Sequence, residues 1–213
     1  MLIDGPTSSR ATVVLTHGAG SPMDTPFMEA IALGLAAAEL RVVRFEFSYM
    51  AKRRVDGVRR GPDRMPKLPL RWTEILDEIS PLPGPLLIGG KSMGGRSAAV
   101  FASEPNSIHQ VDGVICLGYP FHPPGKPEKT RLEPLRAAIL PTLIVQGERD
   151  RFGTPDDVQN YKLRPPVSVH WIADGDHSLV PRKRSGYTET ENLEHAVCAI
   201  TGFVDPIVAN FPS

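Results

Sequence analysis

The sequence predicts a single α/β domain with a mostly parallel sheet of about six strands, helices on both faces and no cap domain. Three observations predict it. Short β-branched or apolar runs recur along the chain, and segments with apolar residues at helical spacing separate them. That alternation builds right-handed βαβ units around one covered sheet. No composition shift, internal repeat or low-complexity stretch divides residues 1–213, a length that suits one well-buried domain.

In order, residues 12–17 form a buried strand, followed by the glycine-punctuated loop His17-Gly18-Ala19-Gly20. Thr25 as N-cap and Pro26 at the first helical position open a helix to Glu39, with Phe27, Ile31, Leu35 and Ala38 on one face. Residues 41–47 alternate, as a strand near a sheet edge would. Residues 48–69 are polar, basic and Gly/Pro-containing and read as a long loop. A helix over 70–80 presents Trp72, Ile75, Leu76 and Ile79 inward, and the strand from Leu86 follows. Further strands are expected at 111–118, 142–147 and 167–173, with short helices at 131–139 and 155–161. Thr188 and Glu191 form a capping box that starts a terminal helix.

Composition narrows the function. The chain carries 24 basic and 24 acidic residues, so no nucleic acid and no membrane is expected as partner. No apolar run approaches the ~18 residues of a membrane span, and the N-terminus lacks a basic, then apolar, leader pattern. Cys116 and Cys198 lie in apolar sequence and are expected as buried free thiols. A cytoplasmic location follows as the expectation. The histidines and carboxylates show no paired spacing, so no metal and no cofactor are expected.

The chemistry centres on Gly90-Lys91-Ser92-Met93-Gly94, where a strand gives way to a helix with one serine at the apex. A turn this sharp strains the serine backbone and leaves room for hydrogen alone at the flanking positions. A serine hydroxyl needs a base, a carboxylate to orient that base, and donors for an oxyanion. In open α/β sheets such groups gather beyond the carboxyl ends of the strands. His177 follows the last strand, whereas His170 falls within a strand, His195 within a helix, and His109 on the opposite edge of the sheet. Asp150 follows the strand ending at Gly147. Glu148 is its rival, Asp156 and Asp157 suit a helix first turn, and Asp174 and Asp176 are too near His177 in the chain. The order Ser92, Asp150, His177 is that of a serine-hydrolase triad on an α/β sheet. The amides of Met93 and Ala19 are the expected oxyanion donors, with Gly20 as runner-up. His17 is expected to brace its loop.

His17-Gly18-Ala19-Gly20, Gly90-Lys91-Ser92-Met93-Gly94-Gly95, Gln146-Gly147-Glu148-Arg149-Asp150 and Asp176-His177 together resemble the small lidless α/β-hydrolases. The likeness is to the dienelactone-hydrolase-like and carboxylesterase branch. Gly118-Tyr119-Pro120-Phe121-His122-Pro123-Pro124-Gly125-Lys126-Pro127 is similar to its testis-expressed hydrolase-like group. It covers about residues 12–205. The resemblance implies a serine hydrolase but no particular substrate. The short 119–130 loop points to small esters. Carboxylic esters are favoured over amides because an amine leaving group demands more acid catalysis, with a thioesterase as the alternative. Two features depart from the pattern: serine stands where dienelactone hydrolase has cysteine, and the N-terminus is too short for the two leading strands of a full-size sheet.

Only residues 119–130 occupy the place of a cap, so an open site is expected. Tyr119, Phe121 and His122 are candidates for its pocket, or for packing of their own loop. The basic stretch 52–67 and Arg182-Lys183-Arg184 read as solvated loop or as an attractor of anionic substrates. A phosphate-binding loop around Gly90-Lys91-Ser92 is not expected, because position 85 is proline and Leu86-Leu87-Ile88 are strand-like. A non-catalytic binding protein on the same fold is the remaining alternative.

Overall fold

A computed structural model describes residues 1–80, 82, 84–104 and 111–212. It contains a seven-stranded sheet. The strands are β1 (Leu2–Asp4), β2 (Thr12–Thr16), β3 (Arg41–Phe45), β4 (Leu86–Lys91), β5 (Gly113–Leu117), β6 (Thr142–Gly147) and β7 (Val167–Ile172). Their order is β1-β3-β2-β4-β5-β6-β7, with β1 antiparallel to β3 and every other pair parallel. The helices are α1 (Pro26–Ala37), α2 (Ser48–Asp56), α3 (Leu68–Ile79), α4 (Met93–Ser103), α5 (Glu133–Arg136), α6 (Pro155–Gln159) and α7 (Glu189–Ala209).

Successive strand residues face opposite sides, and two cores result. Val13, Leu15, Leu87, Ile115 and Val145 pack on one face against Met28, Ile31 and Leu35 of α1 and Ala196, Ile200 and Val204 of α7. Val14, Ile88, Val114, Cys116 and Ile144 pack on the other, against Trp72, Ile75 and Leu76 of α3 and Ala98 and Phe101 of α4. Both α1 and α7 start as the sequence predicts. Thr25 caps the Met28 amide at 3.3 Å, and Thr188 and Glu191 close a capping box.

Four expectations are corrected. The sheet has a seventh strand, β1, too short for any periodicity to reveal. It pairs antiparallel with β3, which lies second from the sheet edge, as its alternation suggests. Arg44 is buried there, and its charge is met by Asp4 of β1 at 2.9 Å. Residues 48–56 are helical where a loop was expected. Met50, Ala51, Lys52, Arg53 and Arg54 are good helix formers, and Gly57 ends the helix in the left-handed region at φ 70°. Cys198 is exposed on α7, while Cys116 is a buried free thiol. Finally, α1 is rotated slightly: Met28 and Ala32 join Ile31 and Leu35 in the core, and Phe27 is only half-buried.

Candidate active site

The end of β4 and the start of α4 place Ser92 at φ 52°, ψ −110°, a strained conformation for a non-glycine residue. The neighbouring glycines permit it. A Cβ on Gly94 would lie 2.7 Å from the Thr16 carbonyl oxygen and 2.8 Å from that of His17, and one on Gly95 would lie 2.7 Å from the Gly90 carbonyl oxygen. The helix therefore starts hard against β2 and β4, and the serine hydroxyl is lifted above the sheet.

His177, in the loop after β7, brings Nε2 to 2.9 Å from Ser92 Oγ. Its Nδ1 lies 2.7 Å from Asp150 Oδ2. An ionised carboxylate only accepts, so Nδ1 carries the proton and the neutral ring leaves Nε2 to accept from the serine hydroxyl. Asp150 follows β6 and is fully buried. Its Oδ2 also accepts from Gln146 Nε2 at 2.9 Å, and its Oδ1 from the Phe152 amide at 2.9 Å. The Phe152 ring lies 4.3 Å from the imidazole, at 35° to it. The His177 imidazole is thus held on one side by a carboxylate with further hydrogen bonds of its own and on another by an aromatic face.

The amides of Met93 and Ala19 have no hydrogen-bond acceptor among the described residues. The loop of Ala19 lies beside Ser92: a Cβ on Gly18 would be 3.8 Å from Ser92 Cβ. The buried His17 braces this loop as expected. Its Nδ1 donates to the Gly18 carbonyl at 2.6 Å, and its Nε2 accepts from the Phe47 amide at 3.2 Å. Burial lowers its pKa, keeping the ring neutral. From α2, Tyr49 Oη donates to the Ala19 carbonyl at 2.9 Å. A cavity of about 360 Å³ opens beside Ser92, lined by residues 18–22, Thr25, Phe27, Met28, Lys91, His177 and Ser178.

Tyr119, Phe121 and His122 are not part of that lining, which corrects the expected pocket. Tyr119 and Phe121 are fully buried with ring centroids 5.0 Å apart, and Tyr119 Oη donates to the Arg131 carbonyl at 2.8 Å. A proline-rich segment with almost no helix of its own secures itself by burying its aromatics. The cavity wall comes instead from the start of α1.

Residues 9–205 match the alpha/beta hydrolase domain family. The chain belongs to the α/β-hydrolases. Solved structures with the same fold include dienelactone hydrolase from Anabaena variabilis, 20% identical with a TM-score of 0.71, covering 96% of this chain and 89% of that one. Est1E from Butyrivibrio proteoclasticus is 15% identical with a TM-score of 0.71, covering 98% and 93%. An α/β serine hydrolase without lid from Xanthomonas campestris is 18% identical with a TM-score of 0.59, covering 93% and 87%. At these identities the likeness is one of fold. This α/β-hydrolase is itself lidless: between β5 and β6 the only helix is the four-residue α5.

The other candidates take structural places in the hydrolase. Glu148 Oε2 accepts from the Asp174 amide at 2.9 Å. Asp157 closes the N-cap of α6 with Thr154. Asp174 pairs with Arg149 and Arg182 at 3.0 and 2.6 Å. Asp176 accepts the Ser178 and Val180 amides, shaping the His177 loop. His170 lies in β7 and His195 in α7, while His109 falls outside the described residues. Three side chains of the site, Gln146, Arg149 and Lys91, stand within the sequence motifs above, but the sequence assigns them no role of their own. Arg149 donates to the Asp174 and Val180 carbonyls at 2.8 and 3.1 Å, spanning the His177 loop. The available signal was a polar residue, Gln146, closing an otherwise apolar strand, and a lysine where the apolar run of β4 ends.

Proposed function

We propose that this chain is a serine hydrolase of small carboxylic esters, working through an acyl-enzyme on Ser92. The observation that carries the reading is the unbroken line Ser92 Oγ, His177, Asp150, with contacts of 2.9 and 2.7 Å. His177 takes the hydroxyl proton as Ser92 attacks the substrate carbonyl, and Asp150 stabilises the imidazolium. The Met93 and Ala19 amides receive the oxyanion. His177 then protonates the leaving alcohol, and a water activated by the same ring hydrolyses the acyl-enzyme.

Substrate size follows from the cavity. About 360 Å³, walled by Phe27, Met28 and Pro22, suits a small acyl or aryl group and leaves the rest of the molecule outside. Support of a general kind comes from the neighbours' names: a dienelactone hydrolase, and Est1E, also solved with ferulic acid bound. Esters are favoured over amides because an amine leaving group demands stronger acid catalysis. A thioester passes through the same oxyanion and is the second reading. The test is a panel of p-nitrophenyl esters and matched thioesters of graded acyl length, run beside Ser92→Ala. Turnover that peaks at short acyl groups and vanishes in Ser92→Ala is expected. A preference for thioesters at every chain length would favour the second reading.

A further inference from the structure

Lys91 is the residue the mechanism leaves unused. It sits between the nucleophile elbow and the cavity, immediately before Ser92, and its ammonium donates to the backbone carbonyl of His177. The ammonium also lies over the Phe27 ring, 5.2 Å from its centroid. No carboxylate lies within ion-pair distance of it among the described residues. A long, rotamer-rich cation drawn into a protein wall without a paired carboxylate loses hydration and side-chain entropy. It is held there by one backbone carbonyl, that of the proposed base.

The surroundings are cut to fit this contact. Gly118, at φ 67°, has no side chain where one would intrude. The point its Cβ would occupy lies 3.0 Å from Lys91 Nζ, 3.0 Å from the His177 carbonyl oxygen and 3.2 Å from His177 Nδ1. Ammonium, carbonyl and imidazole therefore meet around one small space. The serine and histidine come from β4 and from the loop after β7, separated by 85 residues and two intervening strands. Lys91 crosses that gap from the elbow itself.

We infer that Lys91 is a positioning residue that fixes the His177 main chain to the nucleophile elbow, so that Nε2 stays in line with Ser92 Oγ. The inference rests on the serine-hydrolase reading. Burial lowers the ammonium's pKa to about 8 against the opposing charges of Asp150 and Asp176, so it remains mainly a cation at neutral pH and a strong donor to that carbonyl. A base displaced by as little as an ångström loses rate on the order of a hundredfold, while the rest of the cavity lining, residues 18–22, Thr25, Phe27 and Met28, still offers the substrate most of its contacts.

The experiment compares wild type and Lys91→Met, an apolar replacement of similar length. It measures the fluorophosphonate labelling rate of Ser92, kcat and KM for a neutral p-nitrophenyl ester, and the far-downfield proton resonance of His177 Nδ1–H. The expected result is a labelling rate and kcat lowered at least about tenfold, KM within about twofold, and a His177 resonance broadened or lost. Wild-type rates with the resonance intact would overturn the inference. If Lys91→Met does not fold, Lys91→Cys before and after alkylation with bromoethylamine decides. Recovery of labelling on restoring the ammonium supports the positioning role, and a folded, alkylated protein that stays slow overturns it. Failure of wild type to label at Ser92 would instead remove the serine-hydrolase reading itself.

Discussion

At the scale of single residues, the site is an exercise in holding one imidazole still. His177 touches Ser92, Asp150 and Phe152 through its ring, and Asp150 is in turn held by Gln146 and the Phe152 amide. Asp150→Asn keeps the shape but offers an amide where the carboxylate accepts, favouring the wrong tautomer. Turnover is expected to fall about ten thousand fold with little change in thermal unfolding, measured by ester hydrolysis and calorimetry on one preparation. Unchanged turnover would transfer the acid role elsewhere, with Glu148 the first to examine. Ser92, Asp150 and His177 were legible in the sequence because each stands in a short motif just after an apolar run. Gln146, Arg149 and Lys91 were not, because their roles exist only once distant loops meet. Tyr119 and Phe121 misled, because an aromatic beside a site and an aromatic beneath a loop look alike in one dimension.

At the scale of elements, α2 matters beyond its nine residues. It buries Tyr49 and Met50, and its polar remainder made it read as loop. Tyr49 holds the Ala19 carbonyl, and Arg53 reaches that of Gly20 at 3.5 Å, so this helix steadies the loop that carries a proposed oxyanion donor. Tyr49→Phe removes the hydroxyl that donates to the Ala19 carbonyl at 2.9 Å and, more weakly, to that of Gly18 at 3.5 Å. Stability is expected to drop by about 1 kcal/mol, seen by chemical denaturation, and kcat several-fold with KM nearly constant. A change in KM alone would assign the loop to substrate binding rather than to the transition state. The strands with long apolar runs, β2, β4, β5 and β6, were readable from composition. The short β1 was not, since three residues show no period, and it forms the sheet edge beside β3.

At the scale of the whole molecule, the absence of a lid bears on the proposed activity as much as the proposed triad does. Residues 18–22 and the start of α1 wall one side of the cavity, and the β5–β6 connection packs down on itself instead of over Ser92. Among the described residues, none of the β5–β6 connection lines the cavity beside Ser92. Rates on a short-chain triacylglycerol should therefore rise smoothly with concentration and show no jump at its solubility limit. A jump there would mean that residues 119–130 move as a cover.

The central claim is that the geometry around Ser92 makes its hydroxyl a nucleophile. A fluorophosphonate probe reads this most directly, with the labelled peptide located by mass spectrometry in wild type and in Ser92→Ala. One adduct per chain at Ser92 in wild type, and none in Ser92→Ala, is the predicted result. An unlabelled wild-type protein that is folded would contradict the account and leave a binding protein built on a hydrolase fold.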